Sequence, residues 1–189
     1  NADGKQEIFI FDTSSNTFTQ LTNTTGAVGA TDAKISGDGT RVAYIRDGNT
    51  LPAVQRDLVL QDRAGATTRI LASNVSNLAF TYGRAISDDG LRIVYSGDIA
   101  ANSSQVFLFD GRTTNATRQI TSLGERELEV PLHPTVSGDG TRIAFATRRP
   151  ISVLPADSDT SIDLFTYDIP TGQFARVTDA DSVAAGFDG

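Results

Sequence analysis

The chain has 189 residues, with 16 lysines and arginines against 23 aspartates and glutamates, which gives a formal net charge of −7. It has one histidine and no cysteine, methionine or tryptophan, so disulfides, thiolate nucleophiles and cysteine-ligated metals are excluded. The acidic balance argues against nucleic acid as a partner, and no apolar run approaches the roughly 18 residues that span a membrane.

The first recurring element is a pair of short strands joined by an Asp-Gly turn. Residues 35–44 (ISGDGTRVAY) return as 86–95 (ISDDGLRIVY) and as 136–145 (VSGDGTRIAF), and the serines of the three copies are 51 and 50 residues apart. The flanking runs are rich in β-branched and aromatic residues, and the glycine supplies the positive φ of a tight hairpin. The sequence therefore predicts three equivalent antiparallel hairpins.

Two further elements follow each hairpin and also occur once near the start of the chain. One is a strand that ends in aspartate, at 7–12, 57–62, 105–110 and 163–168, and the other is a strand at 18–22, 68–72, 117–121 and 174–178. Four antiparallel strands in up-and-down order, repeated about every 50 residues, are typical of β-propeller blades. The predicted fold is an all-β propeller built of four-stranded antiparallel blades.

The repeat also resembles a known family. The order Ser-x-Asp-Gly-x-Arg-Ile-Ala-Phe, then Phe-Leu-Phe-Asp, then Arg-x-Ile-Thr is similar to the TolB-type propeller repeat, which also occurs in the propeller domains of prolyl-oligopeptidase-like and tricorn-type peptidases. The resemblance covers nearly the whole chain. It implies a β-propeller and, by analogy with TolB-like proteins, a protein partner in the bacterial cell envelope.

The chain is predicted to form one propeller domain over 1–189, with about three and a half to four blades. Complete blades are expected at 31–72, 82–121 and 132–178, preceded by an outer hairpin at 6–22 that lacks its two inner strands. We expect these blades to belong to a larger ring of about six to eight blades, or to an open array whose edges another chain covers. The alternative is an independent four-bladed ring.

The residues that recur with the repeat are expected to be architectural. Ser36 and its equivalents should hydrogen-bond the backbone around the Asp-Gly turn rather than act as nucleophiles. The turn aspartates should make a local charge-assisted contact with the arginine that follows each turn, and the aspartates that end the third strands should hold turns. His133 precedes the third hairpin, where a structural or channel-lining role is expected rather than a catalytic one.

Function is expected where the repeats differ, which is the connection from the second to the third strand. The longest such connection runs from 146 to 161. It contains Arg148, Arg149, Asp157 and Asp159, which we predict to bind a partner. Asp157, Asp159 and Asp163 offer closely spaced oxygen ligands for calcium, although the spacing is not that of an EF-hand. Apart from calcium, no cofactor is expected.

The leading hypothesis is a non-catalytic propeller scaffold that mediates protein-protein interaction in the periplasm or outside the cell, with another protein or further copies of the chain as partner. The alternative is a propeller segment that gates or supports the catalytic domain of a larger hydrolase, such as a prolyl-oligopeptidase-like peptidase. These residues contain no Gly-x-Ser-x-Gly nucleophile elbow, so that catalytic domain would have to lie elsewhere. A propeller lyase with a metal bound by clustered histidines is disfavoured by the single histidine.

Overall fold

The computed structural model describes residues 4–25, 28–47, 55–65, 67–80, 83–100, 103–124, 132–155 and 161–178. These residues form thirteen strands and no helix, so no described helix is long and apolar enough to cross a membrane. The strands are β1 (Phe9–Asp12), β2 (Thr17–Gln20), β3 (Ala30–Ile35), β4 (Arg41–Asp47), β5 (Gln55–Asp62), β6 (Thr67–Ala79), β7 (Arg92–Asp98), β8 (Ser104–Asp110), β9 (Ala116–Gln119), β10 (Thr135–Val136), β11 (Arg142–Thr147), β12 (Asp163–Asp168) and β13 (Gln173–Arg176).

All described strand pairs are antiparallel and join neighbours in the chain, as predicted for a propeller. The third blade is the four-stranded sheet β10-β11-β12-β13, and β1 and β2 form a separate hairpin. The first and second blades share the seven-stranded sheet β3 to β9. The described chain is thus a partial propeller of four-stranded blades that begins with a half-blade.

The seven-stranded sheet arises because β6 serves both blades. Its residues 67–76 pair with β5 as the outer strand of the first blade, and its residues 76–79 pair with β7 as part of the inner strand of the second. Ser76 and Ala79 lie opposite Asp98 and Ser96, ahead of the predicted start of the second blade at residue 82. A single bridge from Ile86 to Ile93 completes that inner strand.

The Asp-Gly turns form because glycine removes the steric cost of a left-handed backbone. Gly39, Gly90 and Gly140 have φ values of +69°, +69° and +73°. A residue with a Cβ is disfavoured in this region, which explains the strict Asp-Gly spacing in the sequence.

The core lies between consecutive blades. Because strand side chains alternate, Tyr44 of β4 packs toward the β1–β2 hairpin while Ile45 packs toward the second blade. A third cluster joins the second and third blades, with Phe145 and Phe165 both 1% exposed. The first and second blades therefore each bury one apolar face against the unit before them and the other against the blade after them.

Candidate functional faces

The blades present two ends with different chemistry. At one end lie the Asp-Gly turns at 36–41, 87–92 and 137–142, which we call the turn face. At the other end the second strands end, at 47, 98 and 147, and the third strands begin, at 55, 104 and 163, and we call this end the loop face. The sequence analysis expects the repeated residues of the turn face to be architectural. It expects functional residues in the unequal connections of the loop face.

On the turn face the repeat serines are fully engaged. The Ser36 hydroxyl donates to Asp38 over 2.6 Å and accepts from the Arg41 amide over 3.0 Å. Ser87 and Ser137 make the same two bonds in the second and third blades. This confirms the predicted hydrogen bonds of the three serines around the Asp-Gly turns.

These bonds also favour the ionised form of the turn aspartates. The Ser36 hydroxyl and the Thr40 amide and hydroxyl lower the pKa of Asp38. The corresponding bonds from Ser137 and Thr141 lower the pKa of Asp139 to about 2. The turns are therefore held by carboxylates that stay charged well into the acid range.

The prediction that each turn aspartate pairs with the arginine after its turn is wrong, because that arginine has a different partner. Arg41 instead pairs with Asp62, the aspartate that ends the third strand, over 3.1 Å. The reason is register, because β4 and β5 place these two residues directly opposite each other. The same cross-strand pairs form between Arg92 and Asp110 at 3.1 Å and between Arg142 and Asp168 at 3.6 Å.

The strand-ending aspartates also hold turns, as predicted. In Asp62, Asp110 and Asp168 the Oδ1 atom accepts a hydrogen bond from a backbone amide two or three residues later. The Oδ2 atom of each forms the ion pair with arginine. Asp12, in the hairpin, accepts from the amides of Ser14 and Ser15 over 2.9 and 3.0 Å.

The same arginines interlock successive blades. Arg41 Nη1 donates to the carbonyl of Asp89 in the next turn over 2.7 Å, and Arg92 Nη1 donates to Gly140 over 2.8 Å. A Cβ on Gly90 would lie 2.7 Å from the Arg41 side chain, so the turn glycine also makes room for the arginine of the preceding blade. The turn face is thus a continuous ladder of structural contacts.

His133 lies near the start of the third hairpin. Its side chain is exposed, and its backbone is in the left-handed region with a φ of 42°. Asp32, at the equivalent position of the first blade, has a φ of 51°. Among the described residues, no carboxylate makes an ion pair or hydrogen bond with its ring. The structure therefore does not assemble a serine–histidine–aspartate relay around it in the part of the chain it describes.

On the loop face a polar cap recurs at the start of the third strands. Thr121 donates to Gln105 Oε1 over 2.9 Å and accepts from the Val106 amide over 2.9 Å. The equivalent caps pair Glu7 with Thr22 and Asp163 with Thr178. The sequence analysis missed this network, although the threonine that ends three of the four outer strands signals it.

The predicted calcium ligands include one described residue. Asp163 is 1% exposed, and its Oδ1 accepts from the Thr178 hydroxyl over 3.2 Å. Asp157 and Asp159 lie outside the described residues. No three histidine or carboxylate side chains cluster as a metal site within the described ranges, and the calcium site stays a prediction.

The two arginines predicted to bind a partner have different surroundings. Arg148 is exposed. Arg149 is half-buried, its amide donates to the Thr147 hydroxyl over 3.0 Å, and its guanidinium reaches the carbonyl of Ser104 over 3.5 Å. Arg149 therefore braces the third blade against the second, whereas Arg148 is exposed to solvent, and the binding of a partner by either arginine stays a prediction.

A cleft of about 540 Å³ opens between the first hairpin and the first blade. Its charged groups are already matched, because Arg46 pairs with Asp57 over 2.7 Å beside it. Asp47 also lines the cleft and pairs with Arg56 over 3.1 Å at the next cross-strand position. The cleft is polar but presents no unmatched charge among these four residues, so it does not by itself indicate an ionic ligand.

Comparison with known proteins supports the fold. No family model matches the chain, and no curated protein matches it. Among solved structures, an oligogalacturonate lyase in complex with manganese has a TM-score of 0.63 at 12% identity, covering 92% of this chain and 48% of that one. The β-propeller domain of the trilobed protease from Pyrococcus furiosus has a TM-score of 0.54 at 14% identity, covering 79% and 43%.

A third similar structure is the putative TolB from Agrobacterium tumefaciens, with a TM-score of 0.51 at 16% identity, covering 93% of this chain and 57% of that one. The chain thus spans less than two thirds of each of these proteins. At such identities the likeness establishes architecture alone. The chain has a β-propeller fold.

Proposed function

We propose that the chain is a non-catalytic propeller segment that binds a protein partner through its loop face, in the periplasm or outside the cell. The observation that carries the proposal is the contrast between its two faces. On the turn face the serine hydroxyls donate hydrogen bonds to the aspartate carboxylates of the same turns. On the loop face the connections differ in length and sequence, and Arg148 is exposed. The likeness to TolB supports the envelope location.

Binding through Arg148 is testable with a matched control. The purified chain is immobilised and exposed to envelope extract of the organism that encodes it, and retained proteins are quantified by mass spectrometry. Arg148→Ala should reduce the retained partner at least about threefold, as expected for loss of an interface arginine. Arg63→Ala removes the same charge from the turn face and should retain the partner fully.

Equal retention by wild type and Arg148→Ala would contradict this assignment of the binding face. Arg149→Ala is not a clean test, because Arg149 also braces two blades. Its effect should therefore appear in thermal stability as well as in binding.

A second candidate is a propeller that gates or supports the catalytic domain of a larger hydrolase. The likeness to the propeller domain of the trilobed protease supports it. In that case the loop face would contact the catalytic domain. The extract experiment distinguishes the two functions. Retention of a separately encoded protein supports the scaffold, whereas a retained hydrolase domain encoded by the same gene as this chain supports the second candidate.

A further inference from the structure

We infer that the cleft between the first hairpin and the first blade binds a neutral saccharide of one or two sugar rings. Residues 21–25 line it on the hairpin side, and residues of β4, β5 and β6 line it on the blade side. Its volume of about 540 Å³ lies within the roughly 300–1,000 Å³ of small-molecule sites. The inference does not depend on the partner binding proposed above.

The cleft is open because the third strand of the first blade lacks two aromatic rings. Val59 and Gln61 occupy two positions that are aromatic in both other blades. The aromatic residues there are Phe107 and Phe109 in the second blade, and Phe165 and Tyr167 in the third. Phe107 stacks on Tyr95 of the neighbouring strand, with 5.1 Å between the ring centroids. Tyr44, the equivalent of Tyr95, lies opposite Val59 instead, so the space of that ring is left to the cleft.

A contact that closes the next interface is also replaced here. The guanidinium of Arg69, on the outer strand of the first blade, lies 5.2 Å from the ring centroid of Phe109 in the second blade. The interface between the second and third blades repeats this contact at 5.6 Å. At the first interface Thr19 stands at the position of the arginine and Gln61 at that of the ring. These residues, all within the described strands, therefore keep the cleft open.

The cleft also offers polar side chains that the described fold does not use. Asn23, Tyr44, Gln61 and Thr68 line it, and their side chains make no hydrogen bond to another described residue. The two amides and two hydroxyls can each donate and accept. A sugar ring presents adjacent hydroxyls that do the same, so these four side chains are matched to a polyhydroxylated ligand.

The hairpin wall of the cleft is held in place by Glu7. Its carboxylate accepts hydrogen bonds from the Thr22 hydroxyl, from the Thr24 amide over 2.7 Å and from the Thr24 hydroxyl over 2.6 Å. These bonds fix the backbone on both sides of Asn23. A wall that is ordered beforehand reduces the entropy that a ligand would lose on binding.

The charges of the cleft favour a neutral ligand over an ionic one. Arg46 pairs with Asp57 over 2.7 Å, and Asp47 pairs with Arg56 over 3.1 Å. An ion pair still has unused donors on its guanidinium and unused acceptors on its carboxylate. Sugar hydroxyls can use both without separating the pair, whereas a charged ligand would compete with one of its members.

The test is a titration of the purified, nitrogen-15-labelled 189-residue chain with cellobiose, maltose and lactose, followed by NMR amide correlation spectra. These spectra detect the side-chain amides of Asn23 and Gln61 directly. We expect both signals to shift saturably with at least one of the sugars. The side-chain amide of Gln173, exposed on the third blade, should not shift. Arg148→Ala should leave the titration unchanged, which separates this site from the loop-face function.

Two variants of Gln61 test the cleft itself. Gln61→Phe restores the ring that the other blades carry, so it should fill the cleft and weaken binding at least about tenfold. Gln173→Phe adds the same ring at an exposed position away from the cleft and should bind as wild type does. Gln61→Ala leaves the cleft open and removes only the amide, and it should weaken binding roughly two- to tenfold.

Three results would overturn the inference. One is the absence of a saturable shift with any of the three sugars up to about 10 mM, which would reveal a Kd of about 1 mM. Another is saturable shifts that spare Asn23 and Gln61, or equal binding by wild type and both Gln61 variants. The third is saturation by glucuronate without saturation by a neutral sugar, which would assign the cleft to an anionic ligand.

Discussion

The β1–β2 hairpin and the third blade carry the same outer strands, but among the described residues only the blade has inner strands. Phe165 and Tyr167 on β12 are 1% and 6% exposed, whereas Phe9 and Phe11, at the equivalent positions of β1, are 47% and 45% exposed. The sequence of an outer strand is therefore not enough to bury it. Phe165 and Tyr167 are buried because they pack against the second blade, which precedes theirs.

The largest difference between the two regions should appear on aromatic truncation. Phe165→Ala removes a buried ring and should lower the free energy of unfolding by about 3–5 kcal/mol. Phe18→Ala removes a ring that is 74% exposed and should change it by less than about 0.5 kcal/mol. Urea denaturation measures both, and equal losses would mean that the hairpin face is covered in solution.

The interlocking arginines should give the next largest contrast. The side chains of Arg92 and Asp110 are 8% and 4% exposed, so Arg92→Ala leaves a buried carboxylate unpaired and should cost about 3 kcal/mol or more. The Arg142 side chain is 71% exposed, and Arg142→Ala should cost less than about 1 kcal/mol. Equal losses in the free energy of unfolding, measured by denaturant titration, would contradict a weaker arginine–aspartate contact in the third blade than in the second.

The turn glycines should sharpen the comparison further. Gly39→Ala and Gly90→Ala impose the same left-handed strain, about 1–2 kcal/mol each. Gly90→Ala additionally forces Arg41 aside and should cost about 1 kcal/mol more. The difference between the two melting temperatures, measured by circular dichroism, isolates the interlock from the strain.

The smallest effect is that of pH. Hydrogen bonds from Ser14 and Ser15 lower the pKa of Asp12 from 3.8 to about 2, and those around Asp139 act alike. A carboxyl with a depressed folded-state pKa stabilises the fold above its unfolded pKa, and this contribution is lost as pH falls through the folded pKa. Melting temperatures should therefore depend little on these groups above pH 5 and fall between pH 4 and 2.

Asp12→Asn supplies the check for that pH profile. It should reduce the fall of the melting temperature between pH 4 and 2, because the amide holds the turn without titrating. Ser152→Ala, on an unrelated loop, should leave the profile unchanged. An unaltered profile in Asp12→Asn would remove Asp12 from the acid transition.

The sequence predicted the blades because their signal is local. Three copies of Ser-x-Asp-Gly-x-Arg and alternating apolar strands indicate hairpins without any knowledge of long-range contacts. The arginine partners were not predicted, because Arg41 meets Asp62 only through cross-strand register, 21 residues away. The separate environments of Arg148 and Arg149 were also beyond the sequence, since the contact of Arg149 with Ser104 joins two blades.

The contrast between the β1–β2 hairpin and a complete blade is tested most directly by amide hydrogen exchange. The Ile8 carbonyl accepts from Leu21 on the β2 side, so alternation directs the amides of Phe9 and Phe11 away from β2. We predict that these two amides exchange rapidly, and that the amides of Val59 and Gln61, at the equivalent positions of β5, are protected because β5 also pairs with β4. Protection of Phe9 and Phe11 equal to that of Val59 in the chain alone would contradict an unpaired edge.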